Sequence, residues 1–252
     1  MTVEKLFPKM HSCPKKGTCL AIVCYWLPAF ILVPQWLPYF SLGMWEDPAY
    51  GSWLQIGYHA LNAVVMLVFL REYLRDEWFM VTTAPGHYMG VGGIAAGLMT
   101  AVTAATVWFR MALGEEAYYV LGGLPVTEML LTQTPRYLVQ SNPVFGIACM
   151  TLLSPACLCG MFYALGFAPV CRKRTWLAYL AVAGVTLIPS ILDIIWRGDT
   201  LDGILFVLDI YILRLPVHLI ACWAYQKTDN LFTPMLALGI LNLLGGVANL
   251  YI

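Results

Sequence analysis

Long apolar runs separated by short polar segments form the main pattern of this chain. Most runs hold roughly 17 to 25 residues, the length with which an α-helix crosses a hydrocarbon core of about 30 Å. The pattern therefore predicts an all-α fold, a polytopic membrane helix bundle of about seven transmembrane helices, in a single integral membrane domain over residues 1–252. The predicted spans lie near residues 19–41, 54–71, 88–110, 144–167, 175–196, 203–225 and 231–251.

The composition supports burial in a membrane. Hydrophobic residues make up 60% of the chain and charged residues only 11%, whereas about a quarter of the residues in a soluble domain are charged. The formal net charge is zero and the charges cluster at the ends of the apolar runs. No basic surface for nucleic acid is therefore predicted.

The cysteines predict no disulfide framework. Most of the eight lie inside apolar runs, where a free cysteine behaves as a small hydrophobe. Cys13, Cys19 and Cys171 lie nearer the polar ends of the runs, and their spacing matches no zinc-binding pattern. We predict neither a metal site nor a cofactor.

The distribution of Lys and Arg predicts a cytoplasmic N-terminus. In that orientation the outer segments contain only Arg110, Arg136 and Arg197. Residues 1–18 then form a cytoplasmic segment, and Thr18–Phe40 is a retained first span, because it is too long for a signal peptide and lacks a small-residue cleavage site. The inner segments contain Lys5, Lys9, Lys15, Lys16, Arg71, Arg75, Arg172, Lys173, Arg174 and Lys227.

The outer segment of residues 111–143 is longer than a simple connector. Its apolar stretch Tyr118–Leu131 is broken by Gly122, Gly123 and Pro125, so it is too short to span the bilayer. We expect a re-entrant or interfacial helix there.

Ionisable residues at membrane depth are costly, so each is a functional hypothesis. Asp193 lies near the outer end of the fifth predicted span, and Asp209, Arg214 and His218 lie in the sixth. Arg214 and His218 are four residues apart and share a helix face. A buried charge pair that fixes helix packing is the favoured interpretation, because such charges need partners. A polar cavity of a membrane enzyme or transporter is the second.

The most specific stretch of the chain is a short turn motif before the last predicted span. It contains Tyr225, Thr228, Asn230 and Leu231, and Asn242 follows in the next helix. This stretch resembles the closing segment of the CAAX-protease and bacteriocin-processing family of intramembrane proteases, also called the Abi family. The segments that begin at Leu153 and at Trp176 resemble the first and second motif helices of that family. The resemblance implies a protease-like core over about residues 144–252.

The residues that carry catalysis in that family are replaced in this chain. The family's two glutamates activate water and its two histidines help to polarise the scissile carbonyl, which is acid–base chemistry in a dry cavity. No glutamate lies between residues 129 and 252, so we predict no catalytic residue; an acid relocated to Asp193, three residues after Ser190, is the alternative. The aligned positions hold Leu158 and Cys159 for the glutamates, Tyr163 for an arginine, Thr186 and Ser190 in the second motif, Leu238 for the last histidine, and a retained Asn242.

A protease-like fold that lacks the two catalytic glutamates could still bind a peptide or helix, so we predict a binding protein. We expect a non-catalytic (pseudoprotease) membrane scaffold or chaperone in the lipid bilayer, with a single-span or membrane-anchored protein as partner. The alternative is a membrane enzyme or transporter that uses the polar residues of the fifth and sixth spans. The resemblance implies a bacterial cytoplasmic membrane. Gly239, Gly245, Gly246 and Ala248 form a small-residue face that permits close approach of another helix, from this chain or from a partner.

Overall fold

The described residues are helical. The computed structural model describes residues 48–120, 143–184 and 201–251, and it contains no strand within them, so the all-α class is confirmed. In chain order the helices are α1 (Pro48–Phe69), α2 (Arg71–Thr83), α3 (Pro85–Val120), α4 (Pro143–Cys171), α5 (Thr175–Gly184), α6 (Leu201–Thr228) and α7 (Phe232–Tyr251).

Two of the described helices are long and apolar enough to cross a membrane, namely the stretch Pro85–Thr106 of α3 and all of α4. Shorter apolar stretches lie in α1, α5 and α7 at His59–Val68, Thr175–Gly184 and Phe232–Val247. The predicted bundle of about seven spans is therefore not confirmed by the described residues. The predicted span 19–41 and residues 185–196 of the fifth span lie outside them.

Helix α2 corrects the sequence interpretation, which placed a polar connector between the second and third spans. The helix lies between two breaks, at Leu70 with φ −115° and ψ 12° and at Ala84 with φ −136° and ψ 57°. Pro85 accounts for the second break, because a proline disfavours the helical conformation of the residue before it. The polar side chains of α2 hid the helix from an analysis based on long apolar runs.

Helix α3 continues ten residues beyond the predicted end at residue 110 and reaches Val120. Residues 111–120 are mostly Ala, Leu, Met, Glu and Tyr, with one glycine, and they contain no proline to end the helix. The expected re-entrant helix was predicted to begin at Tyr118, but Tyr118–Val120 are the end of α3. Residues 121–142 lie outside the described residues.

Helix α4 contains two widened π-helical segments, Cys149–Leu153 and Cys159–Phe167. Each segment ends two residues before a proline. At its end the N–H of Ser154 bonds the carbonyl of Cys149, and the N–H of Ala168 bonds the carbonyl of Tyr163, five residues earlier in each case. Pro155 and Pro169 follow directly. A proline removes a helix donor and crowds the preceding turn, and a π turn accommodates this without ending the helix.

Pro155 and Pro216 do not end their helices. Helix α4 runs through Pro155, and α6 contains Pro216 in its interior. In a helix whose neighbours can re-satisfy the freed backbone groups, proline bends or widens the turn and leaves the helix intact.

Helix α7 supplies such neighbours for α4. Pro155 has no backbone N–H to donate. In an α-helix this N–H would bond the carbonyl of Thr151, and in a π-helix it would bond the carbonyl of Met150. The side-chain amide of Asn242 donates to the Met150 carbonyl at 2.7 Å. Gly239, one helical turn earlier, lies so close to the Thr151 carbonyl that a Cβ atom at Gly239 would come within 2.9 Å of that oxygen.

Helix α3 makes its most extensive contacts with α6 and α7, which also contact each other. Helix α7 also packs against α4, and α4 packs against α1. The main core lies where α3, α4, α6 and α7 meet, around the fully buried Met99, Tyr163 and Leu231.

Large apolar side chains remain exposed around this core. On α1, Leu61, Leu67 and Val68 are 65%, 58% and 63% exposed, and Ile94 on α3 is 59% exposed. Soluble monomers rarely expose continuous apolar patches of this kind. Within the described residues, the exposed apolar surface agrees with the presence of two helices that could cross a membrane.

Candidate functional site

The turn between α6 and α7 is the motif that the sequence analysis singled out. Helix α6 ends at Thr228, whose hydroxyl donates to the carbonyl of Ala224 at 2.9 Å. Asp229 then adopts φ 48°, a left-handed conformation that Asp and Asn tolerate better than most residues and that often follows a helix C-terminus. The N–H of Asp229 bonds the carbonyl of Tyr225 at 2.7 Å.

Asn230 connects this turn to α2. The residue is fully buried, and its side-chain oxygen accepts a hydrogen bond from the N–H of Phe232 at 2.9 Å. This bond satisfies one of the donors that the start of α7 leaves without a helical partner. The side-chain amide donates to the backbone carbonyl of Glu77 at 2.9 Å, so both ends of one buried amide are used.

Glu77 is the buried acid of this site. Its side chain is 1% exposed, and one carboxyl oxygen accepts a hydrogen bond from the N–H of Leu231 at 2.8 Å. The pKa of Glu77 is raised to about 8, mainly by burial and to a smaller extent by the nearby Asp229, against the opposing effects of the Leu231 N–H, the Tyr73 hydroxyl and Arg172. At neutral pH the protonated acid therefore predominates.

Three further contacts join the segments around the acid. The hydroxyls of Tyr73 and Tyr225 lie 3.1 Å apart, and burial is the main cause that raises the pKa of Tyr73. The rings of Trp78 and Phe232 meet edge to face with centroids 5.4 Å apart. A guanidinium nitrogen of Arg172 lies 3.6 Å from a carboxylate oxygen of Asp229. Helices α2, α4, α6 and α7 thus meet at one polar cluster, which we call the Glu77 cluster.

The sequence analysis did not find Glu77. Glu77 lies in α2, in the polar segment between two predicted spans, so it was not among the ionisable residues expected at membrane depth. A signal was present, because Leu70, Tyr73, Leu74 and Glu77 recur at helical spacing and would share a face. In the structure this is the face of α2 that turns towards the core.

The positions aligned with the protease motifs lie together, but in an apolar core. Cys159, Tyr163 and Leu238 are buried in the same cluster, and Leu158 packs against it. The retained Asn242 bonds the carbonyl of Met150, which gives it a role in joining α7 to α4. Thr186 and Ser190 lie outside the described residues.

Of the four residues expected to line a polar cavity, the structure describes the side chain of His218. Its Nδ1 lies 2.8 Å from the hydroxyl of Tyr163, so the structure pairs two residues that the sequence analysis had assigned to different sets. The side chains of Asp209 and Arg214 on α6 are outside the described residues, as is all of Asp193.

The cysteines and histidines show no metal-binding arrangement in the described part of the chain. No group of three or more His, Cys, Asp and Glu side chains there is placed to hold an ion. The buried cysteines at positions 149, 157, 159 and 222 are free thiols, and they pack as small apolar side chains.

The small-residue face of α7 is used inside the molecule. Gly245 and Gly246 are buried, and a Cβ atom at Gly246 would come within 3.2 Å of Ile147 on α4. Together with the contact between Gly239 and Thr151, this is the close helix approach that small residues permit. Gly239, Gly245 and Gly246 are therefore used for packing within the chain and are not open to a partner helix. The side chain of Ala248 lies outside the described residues.

A second small-residue face, which the sequence analysis did not single out, lies on the outside of α3. No described atom lies within 4 Å of a Cβ built at any of its four glycines. The face continues in exposed alanines, and the spacings of three and four residues place all members on one side of the helix. Its members are Gly86, Gly90, Gly93, Gly97, Ala101 and Ala104. We call this surface the glycine face of α3.

Comparison with known proteins gives no relative from which a function could be transferred. No protein-family model, no curated protein and no solved structure matches the chain.

Proposed function

We propose that this protein is a non-catalytic membrane scaffold or chaperone that binds a transmembrane helix of a partner protein. The observation that carries the proposal is the glycine face of α3. It lies on Pro85–Thr106, which is apolar and long enough to cross a membrane but is only 28% buried against the described residues. Faces of the small-xxx-small type allow two helix backbones to approach closely in lipid.

The shape of this face suits a helix. Glycines at positions 86, 90, 93 and 97 form a groove, and larger apolar side chains border it, with Met89 56% and Ile94 59% exposed. In lipid there is no hydrophobic drive for two apolar helices to associate, so close packing of this kind is what supplies specificity. A single-span partner of matching shape is therefore the occupant that we propose.

The absence of proteolysis is the second part of the proposal. The resemblance to the CAAX-protease and bacteriocin-processing family is itself a proposal for this chain, and it aligns Leu158 and Cys159 with the two glutamates that activate water. Burial of Cys159 in an apolar core supports the interpretation that this region packs helices. A carboxylate near the scissile bond, which the mechanism requires, is supplied by neither residue.

The orientation that we propose places the Glu77 cluster at the cytoplasmic face. Arg71, Arg75, Arg172, Lys173 and Arg174 lie in α2 and in the turn after α4, and positive residues are enriched on the cytoplasmic side of membrane proteins. A bacterial cytoplasmic membrane is the localisation that the resemblance implies.

Cross-linking tests the scaffold proposal. We expect a photo- or thiol-reactive cross-linker at Gly93→Cys to join the protein to a transmembrane segment of another polypeptide, identified by mass spectrometry after extraction in mild detergent. The control is Gly57→Cys on α1, which is also exposed, with no described atom within 4 Å of its Cβ position. It should give no such product.

The bulky variant Gly93→Leu should lower recovery of that partner roughly tenfold or more, because overlap at a packed surface costs about 1–3 kcal/mol. Gly57→Leu should recover it normally. Cross-linking of Gly93→Cys to residues 19–41 of the same molecule would overturn the proposal, because the face would then be filled by the chain's own first predicted span.

A cleavage assay tests the second part. The purified protein, reconstituted with the cross-linked partner, should leave that partner and other membrane peptides intact over hours. Cleavage by the wild-type protein that disappears in Asp193→Asn would show a relocated acid and would favour the enzyme interpretation. The control is Asp76→Asn, a half-exposed acid on α2, which should leave the result of the assay unchanged.

A further inference from the structure

Three segments meet at the end of the molecule that contains the Glu77 cluster. Helix α2 contacts the α6–α7 turn through Glu77 and Leu231. The turn after α4 contacts the same place through Arg172 and Asp229. Helix α5 joins α6 there, since the hydroxyl of Tyr179 donates to the side chain of Gln226 at 2.8 Å. The surface residues of these segments therefore form one continuous cap.

The cap is strongly positive. It carries six basic residues and three surface acids, and two of those acids are engaged, Asp76 with Arg75 and Asp229 with Arg172. The fourth acid of this region is Glu77, which is buried and accepts a hydrogen bond from the N–H of Leu231. Exposed cations that make no ion pair with any described residue remain at Arg71, Lys173, Arg174 and Lys227.

Large exposed aromatic side chains lie on the same segments as the basic residues of the cap. Trp78 and Phe79 on α2 are 56% and 63% exposed, and Trp176 at the start of α5 is 63% exposed. Trp is enriched at the boundary between hydrocarbon and headgroups, where its ring can be half-buried in lipid. Each aromatic lies within a few residues of an exposed Arg or Lys, so a lipid that contacts the ring places its phosphate near a cation.

We propose that this cap binds the headgroups of anionic phospholipids in the adjoining leaflet. The cations neutralise the lipid phosphates, and Trp78, Phe79 and Trp176 contact the upper part of the acyl chains. The charge complementarity is with lipid, because anionic headgroups at the surface of the leaflet attract basic residues next to a membrane span. This surface is separate from the glycine face of α3 and does not depend on a protein partner.

Native mass spectrometry of the purified protein in detergent tests the proposal. We expect phosphatidylglycerol to bind at lower concentration than phosphatidylcholine, with a preference that decreases as salt is added. The triple variant Lys173→Gln, Arg174→Gln, Lys227→Gln should weaken phosphatidylglycerol binding on the order of 100-fold, since each cation next to the membrane contributes roughly a factor of five. All three side chains are exposed, so the variant should keep the wild-type melting temperature.

The matched control removes one positive charge from α3, a helix that contributes no basic residue to the cap. Arg110→Gln should leave phosphatidylglycerol binding unchanged, while Arg174→Gln alone should weaken it about fivefold. Equal binding of the two lipids by the wild type, or unchanged binding in the triple variant, would overturn the proposal. Competition by free glycerol phosphate at the same concentration as the lipid would show a site for a soluble phosphate and would equally overturn it.

Discussion

Replacing Gly239 by alanine will lower the thermal stability of the protein strongly, whereas the same change at Gly93 will leave it unchanged or raise it. At Gly239 the added Cβ would meet the backbone carbonyl of Thr151 at 2.9 Å. A backbone atom cannot rotate away as a side chain can, so α4 and α7 must separate, and such overpacking typically costs about 1–3 kcal/mol. At Gly93 no described atom is within 4 Å, and alanine in a helix is favoured over glycine by up to about 1 kcal/mol.

The measurement is the midpoint of thermal aggregation in detergent, followed by size-exclusion chromatography, for the wild type and both variants. Gly184→Ala is a further control, because this helical glycine also has no described atom within 4 Å of its Cβ position. A Gly239→Ala protein as stable as the wild type would show that α4 and α7 can separate freely and would contradict the packing described above.

The stability of the wild-type protein will fall as the pH rises from about 5 to about 8.5, and Glu77→Gln will remove most of that fall. The pKa of Glu77 is raised from 4.5 to about 8, so the folded chain holds a proton that the unfolded chain has released in this range. The stabilisation is complete below pH 4.5 and is lost as the pH passes through the folded value. The full effect is at most about 5 kcal/mol, at about 1.4 kcal/mol for each pKa unit.

The two proteins should melt at similar temperatures near pH 5 and differ most above pH 8, where the glutamine variant is the more stable. Glutamine keeps the carbonyl oxygen that accepts from the Leu231 N–H, and it carries no charge at any pH. The matched control is the neighbouring Asp76→Asn, which removes a half-exposed carboxyl and leaves the buried acid in place. Parallel profiles for the wild type and Glu77→Gln would mean that the buried acid does not titrate in this range.

Much of the helical architecture follows from the sequence because hydrophobic length and charge placement are local properties. The predicted spans at residues 144–167, 203–225 and 231–251 fall within α4, α6 and α7, with ends that differ by a few residues. The turn at Tyr225–Leu231 was recognised as special, and it is the point where α6, α7 and α2 join. Its composition marks it, because a polar turn between two apolar helices is visible without knowledge of the fold.

The features that the sequence analysis missed depend on contacts between distant segments. Glu77 and Leu231 are 154 residues apart, and no periodicity within α2 reveals which helix covers the acid. The π turns of α4 precede prolines, whose effect could be either a break or a widening of the helix, and the local sequence does not distinguish the two. The two glycine faces look alike in sequence, yet the face at Gly239 is covered and the face at Gly93 is open among the described residues.

Helix α7 is translated after every other described helix, and yet the earlier helices depend on it. It follows a turn whose Leu231 N–H meets the carboxyl of Glu77, and it supplies the Asn242 amide that meets the Met150 carbonyl. Until α7 has been synthesised, α2 and α4 lack these partners. A nascent chain stalled before that point would leave the Glu77 carboxyl and the Met150 carbonyl without these hydrogen bonds. The contacts of α2 and α4 with the end of the chain are therefore completed only late in synthesis.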